Sequence, residues 1–594
     1  MKGMVLILGL ALIGRAAEAQ VADSTARADT SVVPIAVADS VPKDTVKAPL
    51  AQAPLPTYQS AAGTWRWERE DIFRSGATTL AELLDVIPGY VTYSASAVAP
   101  AVGNYLGSFG RVRVFMDGLE IDPIDSRMGG MLDLSFIQLW LLETVVVERT
   151  AGELRVHLRT WTDRRTSAAT RIDVATGDLK TNSFRGYYAK RFKHGEALQV
   201  GAQQWSMDDQ RNIDGDVVTV FGRAGWASGN WKFDAMLSRT RRSSSGQPRS
   251  DEDDTRPVLT PQQLRETQSY ARFGYGDPDV GTWLQVMAGR FELDETSPKR
   301  PGGAADGLPR DSVDTTAVRT QFVLSGGSRR GGLHGDGALR LRRVEGEQYL
   351  SPSVRLGYDR GWLSTTFHAE QAADDSLRRI DGAVTIRPFD FVALGVAASR
   401  SSPTESDDLR PASLALRAEA GLRLGRTWLT GGVMRLDTTR TLAPTVFDTG
   451  YVDFAGGSRT GIFAGIHGKF WRDVGLDITA TRWADEDEAY MPQYVVQSRL
   501  YLDTWWLSRF PTHNFRILAA IQHEYRTESA FPIAGAALQT DQYRWWGSLL
   551  ELRLYDAAIW WQFRNLQNGP FIRIPGFEVP PATNFYGIRW SFIN

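Results

Sequence analysis

The sequence predicts an all-β membrane protein, an antiparallel transmembrane β-barrel of about 22 strands behind a small α/β domain. Three observations predict it. From about Thr166 onward, apolar and polar residues alternate in short runs, the pattern of strands with one apolar face. The connections between the runs switch regularly between very short and long. Lys193-His194-Gly195, Asp277-Pro278-Asp279, Asp359-Arg360, Gly425-Arg426, Arg472-Asp473 and Tyr555-Asp556 are short, whereas Arg242 to Glu266, Asp294 to Asp314, Thr438 to Arg459, Arg526 to Thr540 and Gln567 to Thr583 are long. Tight turns on one rim and long loops on the other are the mark of an outer-membrane barrel. Finally, no stretch reaches the ~18 uninterrupted apolar residues of a membrane helix, so a chain that spans must do so as a closed barrel.

Taken in order, Met1 to Ala19 reads as a secretory signal. Lys2 gives the positive end, Met4 to Ile13 the apolar core, and Ala17-Glu18-Ala19 the small-x-small cleavage site before Gln20. Residues 20–63 are rich in Ala, Asp, Ser, Thr, Val and Pro. They repeat a loose Asp-Ser/Thr-Val theme and lack aromatics until Tyr58, so they read as a disordered periplasmic tail. Residues 64–164 form the α/β domain. Leu80, Leu83 and Leu84 fall at helical spacing before Pro88-Gly89, Arg111 to Phe115 alternates as a strand, and Asp117-Gly118 is a turn signal. Glu143 to Glu148 and Leu154 to Leu158 are two further strands.

Residues 165–594 are the barrel. Its clearest strand is Ser413 to Leu424, where Leu414, Leu416, Ala418, Ala420, Leu422 and Leu424 share a lipid face and Arg417 and Glu419 look inward. A soluble sandwich also alternates. Strands of ~9–12 residues suit a tilted membrane strand. The pairs Trp505-Trp506 and Trp545-Trp546 near strand ends suit an interfacial girdle.

Composition excludes several functions. The net charge is −2 with no dense basic run, which gives no argument for a nucleic-acid partner. There is no cysteine, so no disulfide framework and no thiolate metal site. The seven histidines are scattered without metal-ligand spacing, and no nucleophile elbow or phosphate loop is present. No catalytic residues, metal or cofactor are therefore assigned. Asp251-Glu252-Asp253-Asp254 and Asp485-Glu486-Asp487-Glu488 read as solvated faces of outer loops.

Several motifs carry a family resemblance. Ser75-Gly76-Ala77-Thr78-Thr79-Leu80-Ala81-Glu82-Leu83-Leu84 with Ile87-Pro88-Gly89-Tyr90-Val91, then Val112-Arg113-Val114-Phe115-Met116-Asp117-Gly118-Leu119, then Leu132 to Leu134 through Glu143 to Arg149, resemble in order the plug of TonB-dependent outer-membrane receptors. The plug is shortened relative to that pattern: Ser108-Phe109-Gly110 stands where an Arg-Gly pair is usual, and the Gly-rich stretch after Arg149 is reduced to Thr150-Ala151-Gly152-Glu153. The resemblance implies a plug inside the barrel lumen in the outer membrane of a Gram-negative-type bacterium. It implies a ligand such as a siderophore, cobalamin, glycan or peptide, bound where plug apices meet outer loops. Tyr93, Asn104, Tyr105, Asp122, Asp125 and Arg127 are the candidate contacts, chosen by position and polarity; packing of plug against wall is the competing reading. Asp29-Thr30-Ser31-Val32-Val33 is similar to the box through which the family engages the inner-membrane TonB complex, by adding a strand to its partner. Gly587, Trp590 and Phe592 resemble the C-terminal signal read by the barrel assembly machinery. Import driven by plug movement is the function so implied. A non-transporting surface receptor, adhesin or assembly partner that keeps its plug is the alternative.

Overall fold

A computed structural model describes residues 45–594 apart from 58–59, 62–64, 96–98, 126–127, 209–213, 245–261, 298–312, 345, 373–376, 404–411, 438, 485–488, 507–513, 579, 581 and 594. The predicted signal, the energy-coupling box at 29–33, both acidic clusters and Arg127 lie outside the described residues.

The barrel is closed and holds 22 antiparallel strands, from Ala169–Gly177 to Thr583–Ile593. First and last strands pair from Phe585↔Gly177 to Ile593↔Ala169, so no edge is left open. On one rim, here the turn rim, most connections are tight, such as Gly229-Asn230, Pro278-Asp279 and Gly331-Gly332. The exception runs from Trp505 to Asn514. On the other, the loop rim, connections reach 437–458 and 565–582 and carry short hairpins of their own.

The alternation read from the sequence holds. On Ser413–Leu424, Leu414, Leu416 and Leu422 are exposed outward, while Arg417 and Glu419 are buried inward. Tyr586, Ile588 and Trp590 likewise face out on the last strand, and the Trp590 and Phe592 rings lie 4.1 Å apart. Two details differ from expectation. Strands between Asp214 and Arg360 run up to 18 residues, beyond the length that spans a bilayer. Their loop-side halves carry charge on the outer face, as at Arg290, Glu292 and Asp294, and so read as loop in the sequence. The turn expected at Asp359-Arg360 falls instead at Gly361-Trp362, because both residues still pair, with Ser364 and Leu363.

The plug fills the lumen. It comprises β1 (Trp65–Glu68), α1 (Arg69–Ser75), α2 (Leu80–Leu84), β2 (Tyr90–Ser94), β3 (Ala101–Tyr105), β4 (Val112–Met116), β5 (Leu119–Ile121), β6 (Leu142–Arg149) and β7 (Leu154–Thr160). Its main sheet has the order β1-β6-β7-β4-β5, with β4 and β7 parallel and the other pairs antiparallel. The β2–β3 hairpin stands apart toward the loops. Thr79 caps α2 by accepting from the Glu82 amide, and Leu80, Leu83 and Leu84 bury against the sheet, as their spacing predicts. Asp117 and Gly118 both have positive φ (50° and 91°), the conformation an Asp-Gly hairpin turn requires.

The tail expectation needs correction. Residues 50–57 and 60–61 are packed along the lumen wall near the turn rim, and 45–49, largely exposed, run beside the linker from plug to barrel. The Lys47 amide donates to the Arg164 carbonyl at 2.8 Å, and Gln285 Nε2 donates to the Gln52 carbonyl at 2.7 Å. Thr57 Oγ1 meets His334 Nε2 at 2.6 Å, and the Ala61 amide donates to Glu419 at 2.7 Å. Leu50, Ala51, Ala53 and Ala61 are buried. Low aromatic content did not prevent packing, because the wall is cut away to receive small residues. A Cβ at Gly225 would lie 2.6 Å from Leu50, and one at Gly421 would lie 2.8 Å from the Ala61 carbonyl.

Candidate functional site

The plug's position is set by buried ion pairs around its circumference. Asp117, at the tip of the β4–β5 turn, accepts from the Thr160 amide (3.0 Å) and from Arg223 (3.1 Å), while Arg272 donates to its carbonyl at 2.7 Å. Arg113 on β4 bridges Glu120 on β5 (2.6 Å) and Glu370 on the wall (2.7 Å). Arg155 on β7 reaches Asp381 at 2.8 Å, and Arg149 reaches Glu419 at 3.4 Å. On the opposite side Glu82 pairs with Arg564 (2.9 Å) and Asp85 with Arg526 (3.5 Å). Removing one member of such a buried pair typically costs ~3–5 kcal/mol, because the other charge is left unmatched.

These pairings shift the plug's carboxyls. Burial alone would raise Glu120, but Arg113 and Arg342 outweigh it and hold it at about 2. For Glu82, burial is likewise outweighed by Arg564, with Thr78, and the group sits at about 2. Asp85 goes the other way. Burial raises it to about 7 against the pull of Arg526, with the Glu524 charge adding to the rise.

Two regions of the loop side differ sharply. Over one half, residues 440–458, 489–493, 527–542 and 565–578 of the loops fold down on the plug. Tyr93, Phe109, Tyr451, Tyr490 and Phe531 pack edge to face there at 5.2–6.2 Å. The Leu106-Gly107 turn has positive φ at both residues, and the Gly107 carbonyl accepts from Arg459 (2.9 Å) and Thr441 (2.5 Å). A side chain at Gly107 would collide with the Arg459 guanidinium.

Over the other half lies an open vestibule of about 760 Å³. Its floor is the plug at Ser108–Arg113, Glu120–Pro123 and Gly152-Glu153. Its wall is the loop-side ends of the strands between Val313 and Leu424. Eight arginines and four carboxylates line it. Arg400 sits on the outward face of its strand and Arg440 is paired with Asp453 at 2.6 Å, which leaves six cations on the cavity side against four lining carboxylates and Glu370, which pairs with Arg113 at 2.7 Å. Arg111 is held by neutral partners, the Gly152 carbonyl (2.6 Å) and Ser413 Oγ (3.5 Å). Such a surface can hold an anion by charge and by forked hydrogen bonds.

Of the residues predicted as contacts, Asp122 lines this vestibule, 3.3 Å from Arg342 and 3.0 Å from Gln321. Asp125 lines a neighbouring cavity of about 580 Å³ with Arg319. Tyr93 and Asn104 are buried beneath the loops, both donating to the Tyr490 carbonyl (3.0 and 2.8 Å), and Tyr105 donates to the Thr150 carbonyl at 3.1 Å. The structure therefore places Tyr93 and Asn104 in the plug–loop contact and Tyr105 inside the plug, all three away from the vestibule. Sequence reasoning missed the wall arginines, including Arg319, Arg342 and Arg379. Their inward register on alternating strands is the signal that marks them. Among the described residues, no group of three or more His, Asp or Glu is placed to hold a metal ion.

Below the vestibule, sharing Arg113 and Arg155 with it, lies a second chamber of about 80 Å³. His157, on Glu148 at 3.0 Å, and His368, on Asp381 at 3.1 Å, face it, and Ala53 and Pro54 line its turn-rim side.

The fold is shared with solved structures of plugged outer-membrane barrels. The FrpB iron transporter of Neisseria meningitidis superposes with a TM-score of 0.68 at 9% identity, covering 89% of this chain and 99% of that one. The siderophore receptor PirA of Acinetobacter baumannii gives 0.62 at 10%, covering 90% and 98%. A variant of the ferric enterobactin receptor PfeA of Pseudomonas aeruginosa gives 0.65 at 11%, covering 90% and 99%. No protein-family model and no curated protein matches the sequence.

Proposed function

We propose that the chain is a TonB-dependent outer-membrane receptor that binds an anionic ligand in the vestibule and imports it by energy-coupled movement of the plug. The observation that carries this reading is the vestibule itself. It is an open cavity floored by plug apices, with more arginines than carboxylates on its walls. In this reading the turn rim faces the periplasm, and the tail ahead of Thr45 reaches the inner-membrane complex through residues 29–33. The shared fold supports the compartment and the architecture, and the similar proteins are an iron transporter and siderophore receptors. An anionic metal chelate is the ligand class that fits both the charge and the company. Binding needs no covalent chemistry. Loops and plug apices on a rigid wall supply it.

One observation favours a non-transporting receptor, namely the apolar latch between the β2–β3 hairpin and four loops, which holds the plug from outside. Growth and uptake of a deletion strain under iron, cobalamin and glycan limitation separates the two. Loss of uptake of one ligand, restored by the wild-type chain and not by Val32→Pro, supports import. Surface binding with uptake unchanged supports the alternative.

A further inference from the structure

We infer that the outer face of this barrel carries a built site for one lipid of the outer leaflet, a phosphorylated glycolipid, with an acyl chain in a groove on the wall and a phosphate on Arg378 and Arg400. The inference rests on the reading that the loop rim faces the cell exterior. The groove measures about 540 Å³ and lies on the lipid side of the strands from Val280–Ser297 to Leu377–Phe389. Its sides are Leu284, Leu324, Leu339, Val354 and Ile380, all exposed outward. Its depth comes from small outward residues. Gly326 and Gly337 lie opposite each other on adjoining strands, and a Cβ at Gly337 would meet nothing nearer than the Ser353 carbonyl at 3.6 Å. Among the described outward side chains that line it, the polar ones are Gln371 and Arg378, and both stand at its upper end. Glu370 and Arg379, on the same strands, turn into the lumen, to Arg113 and Glu153.

The slope of the groove fits one leaflet. On Ser413–Leu424 the apolar outer face ends at Leu414, eleven residues from the turn at Gly425, and its middle falls at Ala418 and Ala420, seven and five residues from that turn. Gly326 and Gly337 are each five residues from their own turn at Gly331-Gly332, so the groove starts at mid-bilayer. Val354 and Ala369 are seven residues from theirs at Gly361-Trp362. Ile380 and Arg378 are nine and eleven from Asp390, once the bulge before Phe389 is allowed for. The rise is about 14 Å at 3.3 Å per residue and a tilt near 45°, half of the ~30 Å hydrocarbon core. An acyl chain hung from the headgroup level therefore ends at the foot of the groove. Arg400, on the next strand, also faces outward, and by register its Cα lies about 8 Å from that of Arg378. Among the described residues neither arginine pairs with a carboxylate. Two guanidinium forks at that spacing can close on one phosphate, while their stems lie along the apolar wall. The outer leaflet of an outer membrane is built of phosphorylated glycolipid, and a groove confined to that leaflet meets this lipid rather than the phospholipids below.

The test is native mass spectrometry of the full chain in detergent, titrated with bisphosphorylated lipid A, with the same lipid stripped of its phosphates, and with phosphatidylglycerol. The double variant Arg378→Gln/Arg400→Gln removes the phosphate clasp. Gly337→Leu fills the groove from its floor. Arg241→Gln removes another outward arginine, on a strand seven positions away from that of Arg378. Fast migration of the unheated protein shows that each barrel is closed. We expect one lipid A adduct on wild type and on Arg241→Gln, and about tenfold weaker binding in each of the other two variants. The dephosphorylated lipid and phosphatidylglycerol should bind wild type weakly. No adduct on wild type overturns the inference. Equal weakening by Arg241→Gln overturns it too, since the attraction would then be diffuse charge. Phosphatidylglycerol bound as tightly as lipid A, or a second copy of the chain seated on this face in place of lipid, overturns the choice of occupant. The titration involves no uptake, so its failure leaves the import reading untouched, and failure of import in cells leaves this result standing.

Discussion

The strand Ser413–Leu424 fixes where the bilayer lies, and a pair of arginine substitutions tests it. Outward side chains are apolar from Leu414 to Leu424. At about 3.3 Å per residue and a tilt near 45°, that run stands about 23 Å tall, close to the ~25 Å apolar band of such barrels. Its midpoint falls between Ala418 and Ala420, whose neighbours across the sheet are Val396 and Leu394. Leu416 is about 7 Å from that midpoint by the same rise and tilt, and it pairs with Arg435, already an outward arginine. An arginine facing lipid costs ~2–4 kcal/mol at the midplane and ~0–1 near the interface. Val396→Arg is therefore expected to cost about 3 kcal/mol and Leu416→Arg about 1 kcal/mol. The assay is guanidinium titration of the protein folded in phospholipid vesicles, followed by tryptophan fluorescence. Equal costs at the two positions, or a larger one at Leu416, would place the band elsewhere and refute the register-to-depth argument.

Arg417, one residue along, faces the plug, donating to the Arg149 and Thr150 carbonyls and pairing with Glu419 at 3.3 Å. Arg417→Ala is expected to cost about 3 kcal/mol in the same titration, as buried charged hydrogen bonds do. Phe531→Ala empties the centre of the loop latch, where burial is complete; a loss of ~3–5 kcal/mol of local stability should appear as faster hydrogen exchange across 527–542, with the barrel amides unchanged. The folded Glu82 carboxyl, near 2, lies below its ordinary 4.5, so its contribution is fully present above about pH 4.5 and is lost as pH falls toward 2. Thermal unfolding of Glu82→Gln should accordingly be less pH-dependent over that window than that of the wild type.

The sequence yields the barrel because each wall strand obeys a two-residue rule that lipid enforces. The register of Ser413–Leu424 and of the last strand could be read directly, and the Asp117-Gly118 turn announced itself. Other features depend on partners far away in the chain. Nothing local says that Asp117 meets Arg223 and Arg272, or that Arg113 meets Glu370. Residues 50–53 read as free tail because Leu50, Ala51 and Ala53 are a meagre apolar set. Leu50 becomes buried because Gly225 leaves room for it on the wall. Tyr93, Asn104 and Tyr105 were chosen for polarity at a plug apex. Their polar atoms are spent on carbonyls, which sequence spacing cannot reveal.

The tall strand Val280–Ser297 lives in two solvents. Near the turn rim it shows Leu284, Val286 and Ala288 to lipid. Above them the same outward face carries Arg290, Glu292 and Asp294, while Phe291 and Leu293 bury inward. One unbroken register thus serves a hydrocarbon-facing sheet below and a water-facing sheet above, with the outer face changing polarity at a single step while Trp283, Met287, Phe291 and Leu293 stay buried inward. Inserting one residue between Ala288 and Arg290 would leave the lower half correct and turn the upper half inside out, presenting Phe291 and Leu293 to water. The length of this wall is therefore free to drift at its tip, but not at that waterline.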